Sequence, residues 1–177
     1  MRREIGLLTA ALAALAFLAS CATMPKGAVV VGSFEKEKYL GKWYEIARYD
    51  FFFEKNLNNT TAEYALRKDG KISVLNRGYN YVTKKWSEAK GKAKFRGADT
   101  KGELEVSFFG PFYAAYNVIA LDNDYQYALV AGNSLKYLWI LSREKTIPSE
   151  VKNNYLSIAE SLGYDTSKLI WVEHDKN

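Results

Sequence analysis

The chain has 177 residues, with 25 Lys+Arg against 20 Asp+Glu, one His and one Cys. The basic residues are scattered among acidic ones, and Lys84-Lys85 is the longest basic pair after the N-terminal leader, so no nucleic-acid patch is expected. A lone thiol excludes a disulfide framework and leaves the fold to stand on packing.

Met1-Arg2-Arg3 is a short basic stretch, Ile5 to Leu18 is an apolar run rich in Ala and Leu, and small residues lead into Cys21. This pattern is similar to a bacterial lipoprotein signal peptide, in which the cysteine is acylated and the segment before it is removed. An ordinary secretion signal and a membrane-spanning helix are the alternatives. The run is short for a helix that spans a bilayer, and no other stretch is long enough. Ala22, not Asp, follows Cys21. By resemblance to enterobacterial-type sorting, that implies the periplasmic face of the outer membrane. Lipoprotein cysteines of this kind carry three chains, and more than one is needed for a firm anchor. The expected organisation is a signal peptide over 1–20, a lipidated linker of small residues over 21–32, and one domain over 33–177. Without residues 1–20 the balance is 23 basic against 19 acidic residues, still a mild excess.

Aromatic residues make up 15% of the chain, with thirteen Tyr, nine Phe and four Trp. They favour strands and bring large apolar area with a polar tip. They suit either a plain β-rich core or a cavity lined with rings. Ser33 to Leu40 reads as a short helical turn, with Phe34 and Tyr39 placed to plug one end of a barrel.

Eight short strands are then expected, at Lys42–Asp50, Thr60–Arg67, Lys71–Asn80, Trp86–Arg96, Glu103–Phe109, Tyr113–Leu121, Tyr125–Ala131 and Lys136–Arg143. Turn signals separate them, among them Lys68-Asp69-Gly70, Gly110-Pro111, Asp122-Asn123-Asp124 and Gly132-Asn133-Ser134. Leu104, Val106 and Phe108 alternate with Glu103, Glu105 and Ser107, which marks one buried and one wet face. A meander of this kind closes into a barrel and so removes its edges. Pro148-Ser149-Glu150 starts a helix whose stripe is Val151, Tyr155, Ile158, Ala159 and Leu162, with Gly163 at its end. Lys168–Val172 is a last strand beside the first. The fold class is all-β: an eight-stranded up-and-down antiparallel β-barrel with one C-terminal α-helix packed outside.

Gly41-Lys42-Trp43-Tyr44 opens the first strand, Asp122-Asn123-Asp124-Tyr125 sits between the sixth and seventh, and Arg143 ends the eighth. In this order and at these positions the three blocks resemble the lipocalin family. Trp43 to Arg48 and Phe108-Phe109-Gly110-Pro111-Phe112 are similar to its bacterial outer-membrane branch and apolipoprotein-D-like relatives. The resemblance runs from Phe34 to Glu173 and implies a barrel able to hold a small apolar ligand. It makes Gly41, Trp43, Asp124, Tyr125 and Arg143 structural: Trp43 fills the floor and Arg143 lies over its ring.

Parity from Trp43 sends Glu45, Ala47 and Tyr49 inward. Similarity to the family pattern adds Ala62, Tyr64 and Leu66, then Val74, Asn76 and Gly78, then Leu104, Val106 and Phe108, then Tyr116 and Val118. Parity from Arg143 adds Tyr137, Trp139 and Leu141. Phe51-Phe52-Phe53 hangs over the mouth, with Phe53 a candidate ligand contact. The expected ligand-binding set is therefore Tyr49, Phe53, Tyr64, Leu66, Val74, Asn76, Val106, Phe108, Tyr116, Val118, Trp139 and Leu141. Its apolar surface and few polar tips suit a fatty acid or lysophospholipid, although plain core filling accounts for each residue equally. No inward Lys or Arg is legible in the upper cavity, which leaves a carboxylate to Tyr hydroxyls or to a rim lysine such as Lys55.

His174, near the chain end, reads as frayed, and no free thiol is left for a nucleophile. No metal-ligand spacing or phosphate loop is present in the sequence, so no catalytic residue, metal or cofactor is expected. The rival functions are an envelope interaction protein with a filled barrel and, behind it, a lipid-modifying enzyme. The oligomeric state stays open to a homodimer.

Overall fold

The computed structural model describes residues 23–176, so the leader expected over 1–20 and its Cys21 lie outside the described residues. A short helix, α1 (Lys36–Tyr39), leads into eight strands. They are β1 (Gly41–Tyr49), β2 (Leu57–Leu66), β3 (Ile72–Asn80), β4 (Lys85–Phe95), β5 (Glu103–Ser107), β6 (Ala114–Leu121), β7 (Tyr127–Ala131) and β8 (Leu138–Ser142). Helix α2 (Ser149–Ser161) and β9 (Leu169–Trp171) come after them. Each strand pairs with the next and β1 pairs with both β2 and β8, so the eight-stranded antiparallel barrel is closed.

The closed end is built by side chains from the sequence blocks. Gly41 sits at φ +91°, a left-handed conformation that side chains with a Cβ resist, and the guanidinium of Arg143 lies 3.5 Å from where a Cβ would stand. That guanidinium is centred 3.8 Å from the Trp43 ring. It donates to the carbonyls of Lys42, Lys38 and Tyr125. Trp43 is fully buried and donates its indole N–H to the Tyr39 carbonyl at 2.8 Å. Such a cation–π contact contributes about 0.5–2 kcal/mol. Phe34, Tyr39 and Tyr125 close the plug around it, and the Tyr125 hydroxyl accepts from the Glu35 amide at 2.7 Å.

Tyr125 does not open the seventh strand. It lies in the preceding turn at φ +56°, and the strand starts at Tyr127. The side chain of Asp122 holds that turn by accepting from the amides of Asp124, Gln126 and Tyr127. Asp124 itself is exposed and offers the turn only its backbone.

Helix α2 buries Tyr155 and Ala159 against the outer faces of β1, β7 and β8, with Ile46, Ala47, Leu129, Leu138 and Ile140 in the same cluster. The Tyr155 hydroxyl donates to the Tyr127 carbonyl at 2.9 Å. Gly163, at φ +93°, ends the helix. The segment read as a linker is docked on the barrel. Asn117 donates to the Thr23 carbonyl, Pro25 is buried, and Val31 exchanges backbone bonds with Val118 and Gly102.

The chain after β9 is also ordered. β9 pairs with Ala47–Tyr49 of β1, and the tail then runs between β1 and β2. The Val172 amide donates to Ile46, the Asn59 amide to Glu173, and His174 Nε2 to the Glu45 carbonyl at 2.8 Å. The His174 ring meets Tyr44 edge-on at 5.3 Å. It is therefore not frayed, because the tail fills the gap where β1 leaves β2.

Trp43→Ala is expected to lower unfolding free energy by about 3–5 kcal/mol, as large aromatic truncations do, measured by urea denaturation. Parent-like stability in that experiment would contradict the role of Trp43 as the floor.

Candidate functional site: the barrel interior and its mouth

The register of β1 decides what faces inward. Glu45 opposes Leu141, but it is Ala47 that opposes Ile140, so one extra residue sits between Glu45 and Ala47. Such a bulge exchanges the two faces of a strand beyond it. Residues paired across a sheet share a face. Leu141 and Trp139 belong to the interior cluster and Ile140 to the helix-side cluster. Glu45 and Arg48 thus point in, while Ala47 and Tyr49 point out.

The expectation that Tyr49 lines the cavity is corrected on this ground. Its ring packs edge-on against Tyr164 at 5.7 Å, and its hydroxyl donates to the Asp165 carbonyl, outside the barrel. Leu66 is also corrected. It keeps inward parity but lies at the end of β2, past the closed floor, and is 51% exposed.

Arg48 takes the place expected for Tyr49, and alternation alone had hidden it. Its side chain is 1% exposed. It donates to Glu45 Oε1 at 2.8 Å and to the carbonyls of Glu54 and Leu57. Its Nε lies 3.8 Å from Glu54 Oε2 and has no hydrogen-bond partner among the described residues. Glu54 belongs to the 3-10 turn Phe52–Glu54 in the loop over the mouth. It accepts from the Trp139 indole N–H at 3.2 Å, and Thr60 donates to Glu45 at 3.1 Å. Two carboxyls thus share one guanidinium. Burial, and then the neighbouring Glu45, push the Glu54 carboxyl well above the usual carboxylate range. Burial also raises Glu45, against the pull of Arg48.

The other expected residues divide by height. Tyr64 and Tyr116 meet in the lower half, where the Tyr116 hydroxyl lies 2.9 Å from that of Tyr64 and 2.7 Å from that of Tyr39. Burial raises all three phenols above their ordinary value. Val74, Val118 and Leu141 are buried in the same interior cluster, with Val106, Phe108, Tyr116 and Trp139 packed against it. Phe108 covers Gly91, where a Cβ would come within 2.8 Å of the ring. Asn76 keeps a buried Oδ1 without a partner among the described residues.

Across the barrel from Arg48, β4 pairs with β5 only from Lys92 to Phe95, although it pairs with β3 from Lys85 onward. Ser87 and Ala89 face Gly78 and Asn76 on the inner side and are exposed. That wall of the mouth is small and open. Phe53 stands on the rim, 67% exposed, with its ring 5.9 Å from Phe109. Two concavities stand out on the described surface, and both lie outside the barrel. One of about 320 Å³ borders Lys42, Tyr44 and His174, and one of about 250 Å³ borders Asp122 and Tyr155.

A closed eight-stranded barrel, a Trp–Arg floor and an inward face of rings and aliphatics define a calyx-type barrel. The chain belongs to the lipocalin family, since residues 34–174 match its "Lipocalin-like domain" profile. It is 52% identical over 172 residues to the outer membrane lipoprotein Blc of Escherichia coli K12, covering 97% of each chain. It is 48% identical over 157 residues to the protein of the same name from Vibrio cholerae, covering 88% of this chain and 92% of that one. Among solved structures, insecticyanin from the tobacco hornworm superposes with a TM-score of 0.65 at 24% identity, covering 85% of this chain and 84% of that one.

Glu45 and Glu54 both bind their protons more tightly in the folded state. Their contribution to stability is full below the unfolded glutamate pKa of about 4.3 and is lost as pH rises through the raised folded values. Glu54→Gln keeps the hydrogen-bonding shape and removes one of the two titrations. Its Tm is expected to fall less than the parent's between about pH 5 and pH 8, by thermal melts. Parallel curves would show that Glu54 is ordinary in the folded state.

Proposed function

We propose that this lipocalin binds and carries a single-chain amphiphile, a fatty acid or lysophospholipid, at the outer membrane, anchored through acylated Cys21. The buried guanidinium of Arg48 carries the reading. It lies beneath the mouth of an apolar barrel, and its Nε, without a hydrogen-bond partner among the described residues, stands 3.8 Å from Glu54 Oε2, beyond hydrogen-bond reach. An incoming carboxylate or phosphate offers a better acceptor than a carboxyl pushed toward its neutral form. Exchange at Arg48 would release Glu54 and its loop, and the chain of the ligand would lie along Val74, Val106 and Phe108. The names of the bacterial relatives support the outer membrane as location, and the family supports a binding role rather than catalysis.

A filled barrel that serves envelope interactions is the second reading. It is favoured by the ring-packed lower half, where Tyr39, Tyr64 and Tyr116 satisfy one another.

Titration calorimetry with oleate and with methyl oleate separates the two. A carrier that reads charge at Arg48 binds the acid at least about tenfold more tightly than the ester, the worth of one charge-assisted hydrogen bond. Equal affinities would remove Arg48 from recognition. No heat from either lipid, nor from lysophosphatidylethanolamine, would favour the filled barrel.

A further inference from the structure

Large apolar side chains on this surface are not spread evenly. Eight of the twelve that are exposed among the described residues lie at the mouth end. The leading ones are Phe52 at 84%, Phe53 at 67%, Phe109 at 65% and Phe112 at 78%, joined by Tyr81 and Val82 of the β3–β4 turn. They form a linked rim: Phe52 and Phe109 each contact Phe53, and Tyr81 bonds to Asn56 across the neighbouring loop. Lys55, Lys84 and Lys85 are exposed among them. At the floor end, Leu66 apart, the exposed residues of the turns are mainly polar: Arg67, Lys68 and Asp69 in one turn, Asp99 and Lys101 in another, Asn123 and Asp124 in the third. A protein wet on all sides has no use for such a polarity.

The N-terminal segment leaves the barrel at the same end. The Thr23 carbonyl accepts from Asn117, whose amide also donates to Ala131 and Gly132, where β7 turns toward β8. That turn reaches the rim through Tyr137, whose ring is 6.0 Å from Phe51, itself 6.3 Å from Phe53. Cys21 stands two residues before Thr23, and two residues span at most about 7 Å.

We propose that the mouth is a membrane-docking surface, and that its occupant is the phospholipid leaflet holding the acyl chains of Cys21. The inference rests on the proposal that Cys21 is acylated, though not on ligand capture. A tether of this reach cannot lift the β7–β8 turn away from the bilayer. Aromatic tips with adjacent lysines suit the headgroup boundary, where rings insert and cations meet anionic lipid. The barrel therefore stands mouth-down, floor toward the periplasm, and an amphiphile passes from leaflet to calyx without crossing water.

The test uses the acylated protein in vesicles of phosphatidylethanolamine and phosphatidylglycerol. Its native thiol is then blocked by the thioether, so a nitroxide can be placed at Val82→Cys, Phe109→Cys or Lys68→Cys. Labels at 82 and 109 are expected to collide with oxygen more than with a nickel chelate, as immersed groups do, and the label at 68 the reverse. In a Phe109→Ser/Phe112→Ser background the label at 82 moves to the aqueous pattern while the protein stays vesicle-bound. Aqueous readings at both 82 and 109 would overturn the proposal. So would strong dipolar coupling between copies labelled at 109, which would make the occupant a second barrel. So would mass spectrometry showing Cys21 without lipid. Failure of the oleate titration leaves the depth readings untouched, so the carrier reading and the docking reading fail separately.

Discussion

One inserted residue in the first strand governs most of what distinguishes this barrel. The bulge between Glu45 and Ala47 turns Arg48 inward, and it lies in the half of β1 that runs beside β9. A guanidinium buried in this way needs acceptors, because an unpaired charge in an apolar interior costs several kcal/mol. Glu45, two backbone carbonyls and Glu54 meet that need. The loop over the mouth is thereby drawn onto the strand beneath it. The shape of the opening and the charge at its base are consequences of a single register shift.

The barrel is divided along its axis. At the floor, Trp43, Tyr39, Phe34 and Tyr125 pack round a guanidinium that satisfies three carbonyls, and the three inner tyrosines spend their hydroxyls on one another. That half is stability. Toward the mouth the composition changes to a charged knot on one wall and small residues, Ser87, Ala89 and Gly91, on the other. Of the buried side-chain polar atoms without a partner among the described residues, Arg48 Nε and Asn76 Oδ1 face this interior, while the others belong to Arg96 and Ser107.

The segments at either end of the barrel domain do structural work of different kinds. The C-terminal tail bonds to both β1 and β2 where these part, and His174 is a half-buried residue of that seam. Burial lowers its pKa, which keeps the ring neutral and bonded through Nε2. The N-terminal segment runs beside β6, where Thr23 and Val31 bond to Asn117 and Val118, and so becomes part of the barrel wall.

Much of the architecture was legible in the chain. Turn residues at short spacing set eight strands, alternation in β5 gave one wet face, and the blocks at Gly41–Trp43 and Arg143 located the floor. These are local signals, and period-two patterning with glycine turns has few other solutions. Tyr49, Leu66 and Arg48 were not legible, for two reasons. A bulge changes the count between strands without changing the composition of either, so parity carried past Glu45 gives the wrong face. The height of Leu66 relative to the floor depends on the stagger between β1 and β2, which only the pairing of Gly41 with Tyr64 reveals. Asp124 was the expected structural carboxylate of the turn, but it is Asp122 that accepts the amides, which only the folded turn shows. Three successive phenylalanines could be read as a mouth loop, but that the other mouth loops carry rings to the same rim is a fact of closure. The sequence by itself determined the barrel, its floor and its family, because these arise from alternation, turns and short motifs. Only the tertiary structure decided which side chains face the interior and at what height they lie, because both depend on register summed around a closed sheet.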